Sequence, residues 1–427
     1  MGNKRYRVIV AHPGKQHSYQ TVKALNRDGI DLTYITTVYD KKNSFTNKLK
    51  RIFLNGDNLK RANSRNCAAI DDKQVVQFCE LSGLVTLFLL RVDKSKKIYR
   101  KWNDWVFNRF GHKVAKFAVK ENADMVIMFD ANAKPCFEYL KENASNIVKV
   151  LDVSIAARPY QRVVYESDIA KTGLTGLQAE QVFLWDDDKI SFYQKEINYT
   201  DYFMAPSEFV KKSLKYCGVE DSYICKVPYG VETNRFEYHE RCIHGGPLKL
   251  VMAGQVSYRK GFHHLIKVLK NYSKDDVQLV LFGALNHNDD FFEKNGNLEN
   301  IDYRGFVTQE KIIKEYEKAD VYIFPSLCEG LSLSVLEAMS CGLPVLLSDH
   351  SGANDAVEDG KNGKVFVAGD DEKLKETIDW YIKNRDRLLE MGRCARNTAQ
   401  RYSWDSYYSN YSDAVLEILK GREEKCK

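Results

Sequence analysis

The chain has 427 residues, of which 44% are hydrophobic and 29% charged, a composition typical of a folded globular protein and not of a disordered one. Because single cores rarely extend beyond about 250–300 residues, this length predicts two domains. No apolar run reaches the ~18 residues that a transmembrane helix needs, and the N-terminus shows no signal-peptide pattern. Ten cysteines without a C-x-x-C pair favour free thiols in a reducing compartment, so we expect a cytoplasmic protein.

The net charge of +6 is unevenly distributed. Residues 45–120 hold 17 Lys and Arg against 6 Asp and Glu, a net +11, so the rest of the chain carries −5. Basic residues mixed with Trp, Phe and Leu are typical of a membrane-surface patch, and they are also compatible with a solvated basic face. The sequence therefore leaves open a peripheral contact with anionic membrane through 45–120, at the inner face of the plasma membrane. No nucleic-acid-binding motif accompanies the charge, so we expect no nucleic-acid partner.

Strand-like and helical patterns alternate through the first half of the chain. In order they are a strand at 6–12, a helix at 18–26, strands at 31–39, 123–130, 147–154 and 201–207, and a helix that ends near Gly218. Apolar strands alternating with helices indicate βαβ units, and therefore a parallel sheet covered by helices.

The same alternation restarts after a polar stretch at 235–249, which contains Gly-Gly-Pro and reads as a linker. Strands follow at 248–254, 277–284, 301–307, 320–326 and 344–349, with helices at 261–270, 309–319 and 333–341 and a helical C-terminus. The pattern predicts two doubly wound Rossmann-like α/β domains facing a cleft. We predict domains at 1–235, with a basic insertion at 45–120, and at 236–400, with a C-terminal helix at 401–427 that packs back toward the first domain.

The stretch CEGLSLSVLEAMSCG, starting at Cys328, places two carboxylates around one strand-to-helix junction. Glu329 and Gly330 follow a strand, a helix starts near Ser332, and Glu337 lies in its first turns. A helix N-terminus favours an anion, and carboxylates accept hydroxyl groups well, which suits a nucleoside diphosphate sugar. The alternative is a capping box, in which Glu337 pairs with Ser334 and only caps its own helix.

Two other turns follow predicted strands and carry groups suited to phosphate. Arg259 and Lys260 precede Gly261 in the first turn of the second half, where adjacent cations suit a diphosphate leaving group. A lone Arg-Lys pair is also the usual composition of a solvated turn. In the first half, HPGKQHS contains Gly14, whose small size suits a tight turn near a phosphate, but it lacks the dinucleotide pattern G-x-G-x-x-G.

With these elements the chain resembles a retaining glycosyltransferase of the GT-B fold, in the large family four, or "glycosyl transferases group 1" type. Glu329 and Glu337 match the E-x7-E signature, and Arg259, Lys260 and Gly261 match the R-K-G turn. The segments VPYGVETNRF, APSEFVKKSL and EDGKNGKVF also resemble recurring segments of that family. The resemblance covers essentially the whole chain and is strongest from 200 to 370.

The resemblance implies a role for each matched position. Arg259 and Lys260 would hold the departing diphosphate, Glu329 would bind the donor sugar, and Glu337 would bind the ribose hydroxyls. Backbone atoms near the donor would come from Gly14, Gly254, Gly283, Val307, Gly330, Leu331 and Ser332. The family needs no bound metal or cofactor, and its commoner donors carry UDP rather than GDP. The implied partners are a nucleotide-sugar donor and a glycan or lipid-linked acceptor, in cell-surface polysaccharide or lipopolysaccharide synthesis.

One departure from the family concerns the end of the strand IVKVLD, where many members carry a histidine near the reacting carbon and this chain has Asp152. Asp152 is our candidate for accepting the proton of the acceptor hydroxyl. It could equally be the N-cap of a helix starting near Ile155, which we slightly prefer. The alternative function is a non-catalytic nucleotide-sugar-binding or scaffold protein of the same fold, which the presence of Glu329 and Lys260 disfavours.

Overall fold

A computed structural model describes residues 5–42, 47, 63–236, 238, 245–285 and 298–425 of the chain. Within them, short apolar runs form two sheets in which every strand pair is parallel. The first sheet has the order β3-β2-β1-β4-β5-β6-β7. Its strands are β1 Tyr6–Ala11, β2 Ile30–Thr36, β3 Val75–Gln77, β4 Met125–Phe129, β5 Val148–Asp152, β6 Tyr202–Ala205 and β7 Ile224–Lys226.

The second sheet has the order β10-β9-β8-β11-β12-β13. Its strands are β8 Leu248–Ala253, β9 Val277–Phe282, β10 Ile301–Tyr303, β11 Val321–Phe324, β12 Val345–Ser348 and β13 Gly363–Phe366. In each sheet the chain builds strands to one side of the first strand and then to the other. This reversal is the doubly wound topology, in which ligands bind beyond the carboxyl ends of the strands at the point of reversal.

Helices cover the faces of both sheets. In the first domain they are α1 Ser18–Leu25, α2 Glu80–Val92, α3 Lys97–Lys120, α4 Lys134–Asn143, α5 Arg158–Thr172, α6 Gly176–Glu180, α7 Asp187–Asn198 and α8 Glu208–Tyr216. In the second half they are α9 Phe262–Leu269, α10 Gln309–Tyr316, α11 Leu333–Ser340, α12 Asp371–Lys383, α13 Leu388–Arg401 and α14 Trp404–Lys425. Among the described residues, no helix combines the length and the apolar character needed to cross a membrane.

The central strands are buried on both faces, as β1 illustrates. Val8 and Val10 belong to one hydrophobic core, and the alternate residues Ile9 and Ala11 belong to a second core that includes Phe110 of α3. Successive side chains of a strand point to opposite faces, so an all-apolar run needs helices on both sides. This explains why the strands are nearly continuous apolar segments.

The last helix, α14, lies against the first domain although it follows the second sheet in the chain. It packs on α1, where Tyr408 donates a 2.7 Å hydrogen bond to Gln20. Tyr411 is buried and donates a 2.9 Å hydrogen bond to Asp152 at the end of β5. The start of α14 lies close against the loop that contains Gly230, because a Cβ atom on Gly230 would lie 2.3 Å from the backbone nitrogen of Trp404.

The two Rossmann-like domains of a GT-B fold are confirmed, and most predicted strands and helices lie within two or three residues of their positions in the structure. The predicted insertion at 45–120 includes two segments that are part of the sheet and its helical cover. Residues 75–77 form β3, an edge strand paired with β2, and the second half of α3 is buried against the first sheet. Residues 43–46 and 48–62 of that region lie outside the described residues, as do 237 and 239–244 of the predicted linker.

Candidate active site

The strands β8 and β11 are neighbours in the second sheet, and the strand order reverses between them. Their carboxyl ends therefore border the crevice where this topology binds ligands. The loop after β8 carries Arg259 and Lys260, and the loop after β11 carries Glu329. The sequence positions are some 70 residues apart, and the sheet brings them together.

Arg259, Lys260 and Glu329 form one buried ionic group. Glu329 Oε1 lies 2.6 Å from Lys260 Nζ and also accepts a hydrogen bond from Arg259 Nη1. Arg259 Nη1 donates a second bond, 3.1 Å long, to the carbonyl oxygen of Cys328, and Lys260 Nζ lies 4.6 Å from the centre of the Phe324 ring. The three charged side chains are only 12–19% exposed. Two cations face one carboxylate, so the group carries a net positive charge suited to an anion.

The pKa values of these groups follow from burial and mutual charge. Burial lowers the pKa of Lys260 to about 8, although the Glu329 carboxylate opposes this. Burial would also lower the pKa of Arg259, but Glu329 outweighs it and the value is raised. For Glu329, burial alone would raise the pKa, and the two cations outweigh it, so the value lies below its ordinary range. Near pH 7 all three groups are therefore charged.

At Gly330 the two domains approach each other closely beside this group. A Cβ atom there would lie 1.8 Å from the carbonyl oxygen of Ser154, in the loop after β5, so only glycine fits. Ser207 of the first domain donates a 2.6 Å hydrogen bond to the Gly330 carbonyl. Leu331 and Ser332 are buried and lead directly into α11, whose N-terminus faces the same edge of the sheet.

Glu337 does not cap its own helix. The cap position of α11 is Ser332, with no side-chain capping bond, and Glu337 accepts a 3.0 Å hydrogen bond from Gln309 Nε2 instead. The capping-box alternative with Ser334 is therefore wrong. Burial raises the pKa of Glu337 to about 7 despite the opposing charge of Arg235, so its carboxylate gains from a hydrogen-bond donor such as a hydroxyl group.

Gly254, Gly283 and Val307 follow β8, β9 and β10, three adjacent strands, and so line the same edge of the sheet. The Gly254 amide donates to the carbonyl of Phe282, and the Gly283 amide donates to the carbonyl of Gly305, each at 2.9 Å. Backbone hydrogen bonds therefore connect the three loops. They continue the crevice from the ionic group, past Glu337, toward the edge of the sheet.

Gly14 lies in the loop after β1 of the first domain. Its amide donates a 2.8 Å hydrogen bond to His12 Nδ1, and its carbonyl accepts from Thr36 at 3.2 Å. In the same loop Gln16 Nε2 donates a 3.1 Å bond to the hydroxyl of Ser154, the residue whose carbonyl faces Gly330. The Gly14 loop is therefore linked through Ser154 to the Glu329 side of the crevice.

Asp152 ends β5 and caps no helix, so the N-cap interpretation is wrong: α5 begins only at Arg158, with no side-chain cap. Its buried carboxylate accepts hydrogen bonds from Tyr411 at 2.9 Å and from Thr21 at 3.3 Å, and lies 2.9 Å from His17 Nε2. Burial would lower the pKa of His17, but Asp152 outweighs it and raises the value. The carboxylate is thus hydrogen-bonded to side chains of α1 and α14, and the slightly more exposed His17 ring lies beside it.

Glu180 of α6 is a site neighbour that the sequence did not indicate. Its carboxylate accepts hydrogen bonds from the backbone amides of Tyr258 at 2.6 Å and of Arg259 at 3.1 Å. Next to it, a Cβ atom on Gly176 would lie 2.0 Å from the Tyr258 ring. The first domain therefore holds the backbone of the Arg259–Lys260 turn directly. No sequence motif marks Glu180, because it hydrogen-bonds to backbone amides of the other domain, which are distant in sequence.

A buried cluster joins the domains just behind this turn. Asp168 of α5 lies 3.0 Å from His263 Nε2 and 2.7 Å from His264 Nε2, and His264 Nδ1 lies 2.6 Å from Asp371. Of the described residues, only Asp168, His263 and His264 bring three potential metal ligands within 4.8 Å of one another. Their mutual hydrogen bonds already engage these atoms. The adjacent His-His after the Arg-Lys-Gly turn was the signal that sequence reasoning left unused.

This cluster predicts a pH-dependent stability. Burial would lower the pKa of His264, but Asp168 and Asp371 outweigh it and raise the value to about 9. A histidine whose pKa is raised on folding stabilises the protein fully below its unfolded pKa, ~6.5, and this contribution is lost as pH rises to about 9. We expect the His264 contribution to be a few kcal/mol at pH 6.5 and near zero at pH 9.5.

Thermal unfolding between pH 6 and 9.5 measures this effect. Other groups titrate in that range, Lys260 among them, so the relevant quantity is the difference between wild type and His264→Gln. We expect this difference in melting temperature to shrink as pH rises. His112→Gln, at an exposed histidine, is the matched control. A difference that is constant over the range would contradict a charged His264 in the folded protein.

Part of the chain is similar in sequence to known glycosyltransferases. Residues 235–398, less than half of the chain, match the family model described as "Glycosyl transferases group 1". The chain is 28% identical over 245 residues to the "Uncharacterized glycosyltransferase MJ1069" of Methanocaldococcus jannaschii, covering 53% of this chain and 62% of that protein. It is 25% identical over 224 residues to the "Putative colanic acid biosynthesis glycosyltransferase WcaL" of Salmonella typhimurium, covering 49% and 55%. These matches span less than two thirds of either relative.

Among solved structures, the fold is similar to that of Anabaena Alr3699/HepE in complex with UDP. The TM-score is 0.60 at 14% sequence identity, over 97% of this chain and 100% of that one. At this identity the likeness shows the shared fold. Residues 235–398 therefore resemble group 1 glycosyltransferases, and the structural likeness adds the shared two-domain fold.

Proposed function

We propose that the protein transfers a sugar, with retention of anomeric configuration, from a nucleotide-diphosphate sugar to a hydroxyl group of a glycan or lipid-linked acceptor. The observation that carries the proposal is the buried group of Arg259, Lys260 and Glu329 at the switch point of the second sheet. A net positive, water-poor group at that position suits the diphosphate that departs during transfer.

The donor would lie along the edge formed by the loops after β8 to β11. Its diphosphate would contact Arg259 and Lys260 and the backbone of Gly254, and its sugar would contact Glu329 and the amides of Gly330, Leu331 and Ser332. Its ribose hydroxyls would donate to the Glu337 carboxylate, which also accepts a hydrogen bond from Gln309. Its base would contact the backbone near Gly283 and Val307. The UDP complex of the structurally similar protein favours a UDP donor over GDP.

In the transfer step, the bond from the sugar's anomeric carbon to the β-phosphate oxygen breaks, and the nucleoside diphosphate leaves with the electron pair. The acceptor oxygen attacks the same face of that carbon, and its proton passes to the departing β-phosphate oxygen. Arg259 and Lys260 stabilise the charge on the departing diphosphate, so we propose a reaction without a bound metal. We assign Asp152 a positioning role, because its carboxylate already has three side-chain partners. One of these partners is His17, whose ring Asp152 orients. Gly14 leaves room for the donor from the first domain.

We propose that the acceptor binds on the first domain and belongs to cell-surface polysaccharide or lipopolysaccharide synthesis at the cytoplasmic face of a membrane. The support is the relative named for colanic acid biosynthesis and the net +11 charge of residues 45–120. A non-catalytic nucleotide-sugar-binding protein is the second candidate. It would bind the same donor without releasing a nucleoside diphosphate.

A thermal-shift screen with EDTA present tests the donor site. The ligands are UDP, GDP, ADP, CMP and their sugar conjugates, since a ligand that binds the folded state raises the melting temperature. We expect UDP and one UDP-sugar to stabilise wild type, and the Lys260→Ala variant to lose that shift. Stabilisation that requires Mg²⁺, or no stabilisation by any nucleotide, would contradict the proposed site.

A further inference from the structure

The hairpin formed by α2 and the first half of α3 is strongly apolar and yet unburied. Residues 84–105 contain eleven large apolar or aromatic side chains, and not one residue of this range is buried. Within α2, only Gly83 is buried. A helix of a water-soluble protein normally buries its apolar side chains against a core. The exposed apolar surface of this hairpin is therefore a candidate binding surface.

The exposed apolar side chains are arranged as a stripe. Leu81, Val85, Phe88 and Val92 are spaced four, three and four residues apart, which puts them on one face of α2, and they are 40–64% exposed. On α3, Ile98 and Trp105 are spaced by seven residues and are 63% and 46% exposed. The Trp102 ring joins the helices, since its Nε1 donates a 3.2 Å bond to the carbonyl of Ser82.

The tip of the hairpin is cationic. Residues 91–101 hold six Lys and Arg and one acid, Asp93. Asp93 is engaged by its own turn, because its carboxylate accepts bonds from the Tyr99 amide and the Ser95 hydroxyl. Arg91, Lys94, Lys97, Arg100 and Lys101 make no ion pair with any residue the structure describes. Their charge is thus available to a negatively charged surface.

The hairpin rises from the edge of the first sheet that borders the crevice. Gly83 packs so closely on the residues after β2 that a Cβ atom would lie 2.6 Å from Thr37 Oγ1. Thr37 in turn donates a 2.6 Å hydrogen bond to the carbonyl of Pro13, next to Gly14. A surface bound by the hairpin would therefore lie beside the first-domain side of the candidate active site.

We propose that the α2–α3 hairpin docks the protein on an anionic lipid bilayer. The stripe of Leu81, Val85, Phe88 and Val92 would enter the boundary between headgroups and acyl chains, and the Lys and Arg side chains of 91–101 would contact the anionic headgroups. An apolar stripe with flanking cations and tryptophans is the chemistry that such an interface selects. The inference rests on the hairpin alone and does not require glycosyl transfer.

Vesicle co-sedimentation of the full chain tests the proposal. One set of vesicles contains phosphatidylcholine with about one third of the anionic lipid phosphatidylglycerol. The comparison set contains phosphatidylcholine alone. We expect wild type to bind the anionic vesicles and to be released by high salt. Loss of three cations in Lys97→Gln/Arg100→Gln/Lys101→Gln should weaken binding on the order of a hundredfold. Leu81→Glu/Phe88→Glu should weaken it at least as much.

The matched control is Val367→Glu, which changes an equally exposed valine of the second domain and should bind vesicles like wild type. Brominated acyl chains should quench the fluorescence of wild type more than that of Trp105→Phe. Binding that survives both hairpin variants, or no binding by wild type, would overturn the proposal. A lowered melting temperature in Leu81→Glu/Phe88→Glu would show that the chain itself covers the stripe, and loss of a dimer would show a second copy; either result would also overturn it. UDP stabilisation, measured separately, reports on the donor site.

Discussion

Lys260→Ala is expected to lower kcat/KM for donor turnover about a thousandfold, because one preorganised cation at a departing charged group contributes that much. Lys260 Nζ lies in the crevice beside Glu329 and is only 12% exposed, so water does not replace it readily. The fold should persist, since Arg259 still neutralises Glu329. The nucleoside diphosphate should also lose affinity, because its phosphate charge loses one of two cations. Steady-state release of the nucleoside diphosphate measures the effect.

Lys270→Ala is the matched control, because Lys270 ends α9 on the exposed surface of the same domain. It should turn over donor like wild type. Circular dichroism and melting temperature should show both variants folded. Activity of a folded Lys260→Ala protein within a factor of about three of wild type would mean that this lysine does not stabilise the departing diphosphate.

Glu329→Gln is expected to have two opposite effects. It removes the carboxylate that separates two buried cations, so the free energy of unfolding should fall by about 3 kcal/mol in the absence of ligand. A bound diphosphate would restore the missing negative charge, and the rise in melting temperature caused by UDP should therefore exceed that of wild type. Turnover should nevertheless fall on the order of a hundredfold, because the donor sugar loses a charged hydrogen-bond acceptor.

Melting temperatures with and without UDP, together with turnover at saturating donor, separate these effects. Glu372→Gln changes an exposed glutamate at the start of α12 and serves as the matched control. An unchanged stability in Glu329→Gln would show that the contact with Arg259 and Lys260 is weak in solution. A smaller UDP shift than in wild type would show that the diphosphate does not approach these cations.

The fold could be predicted because its strands are apolar on both faces. β4, Met125–Phe129, is wholly buried and reads as a continuous apolar run, and the glycine after β8 marks the end of that strand. The strands β3, β7 and β13 were not predicted; they are short, partly exposed edge strands. The similar edge strand β10 was predicted only because the sequence pattern continued beyond it, to residue 307. A segment that short has no periodicity to recognise.

The basic region shows where composition misleads. Its charge suggested an insertion, yet β3 and the second half of α3 are parts of the first domain. The charged residues of α3 lie on its outer face, and Phe110 and Val114 on its inner face are completely buried. Net charge describes the surface of a segment and carries no information about which sheet its apolar side chains cover.

The candidate site could be predicted where its residues lie in turns directly after strands. Arg259, Lys260, Glu329 and Glu337 satisfy that condition or follow within one helix, and topology brings the ends of β8 and β11 together. Glu180 and Asp168 could not be predicted, because they come from helices of the first domain and contact the second only through the packing of the two domains. Asp152 was misread as a helix cap because its partners, Thr21 and Tyr411, are distant in sequence.

The central claim is that this crevice transfers a sugar from a nucleotide-diphosphate donor without a metal. Proton NMR of the purified protein with an α-linked UDP-sugar, with EDTA and a supply of acceptor glycans, tests it most directly. We predict that UDP is released in step with a new α-glycosidic signal, and that Lys260→Ala abolishes both. A β-linked product would contradict retention. Donor binding without UDP release, over every acceptor offered, would contradict catalysis and favour a nucleotide-sugar-binding protein.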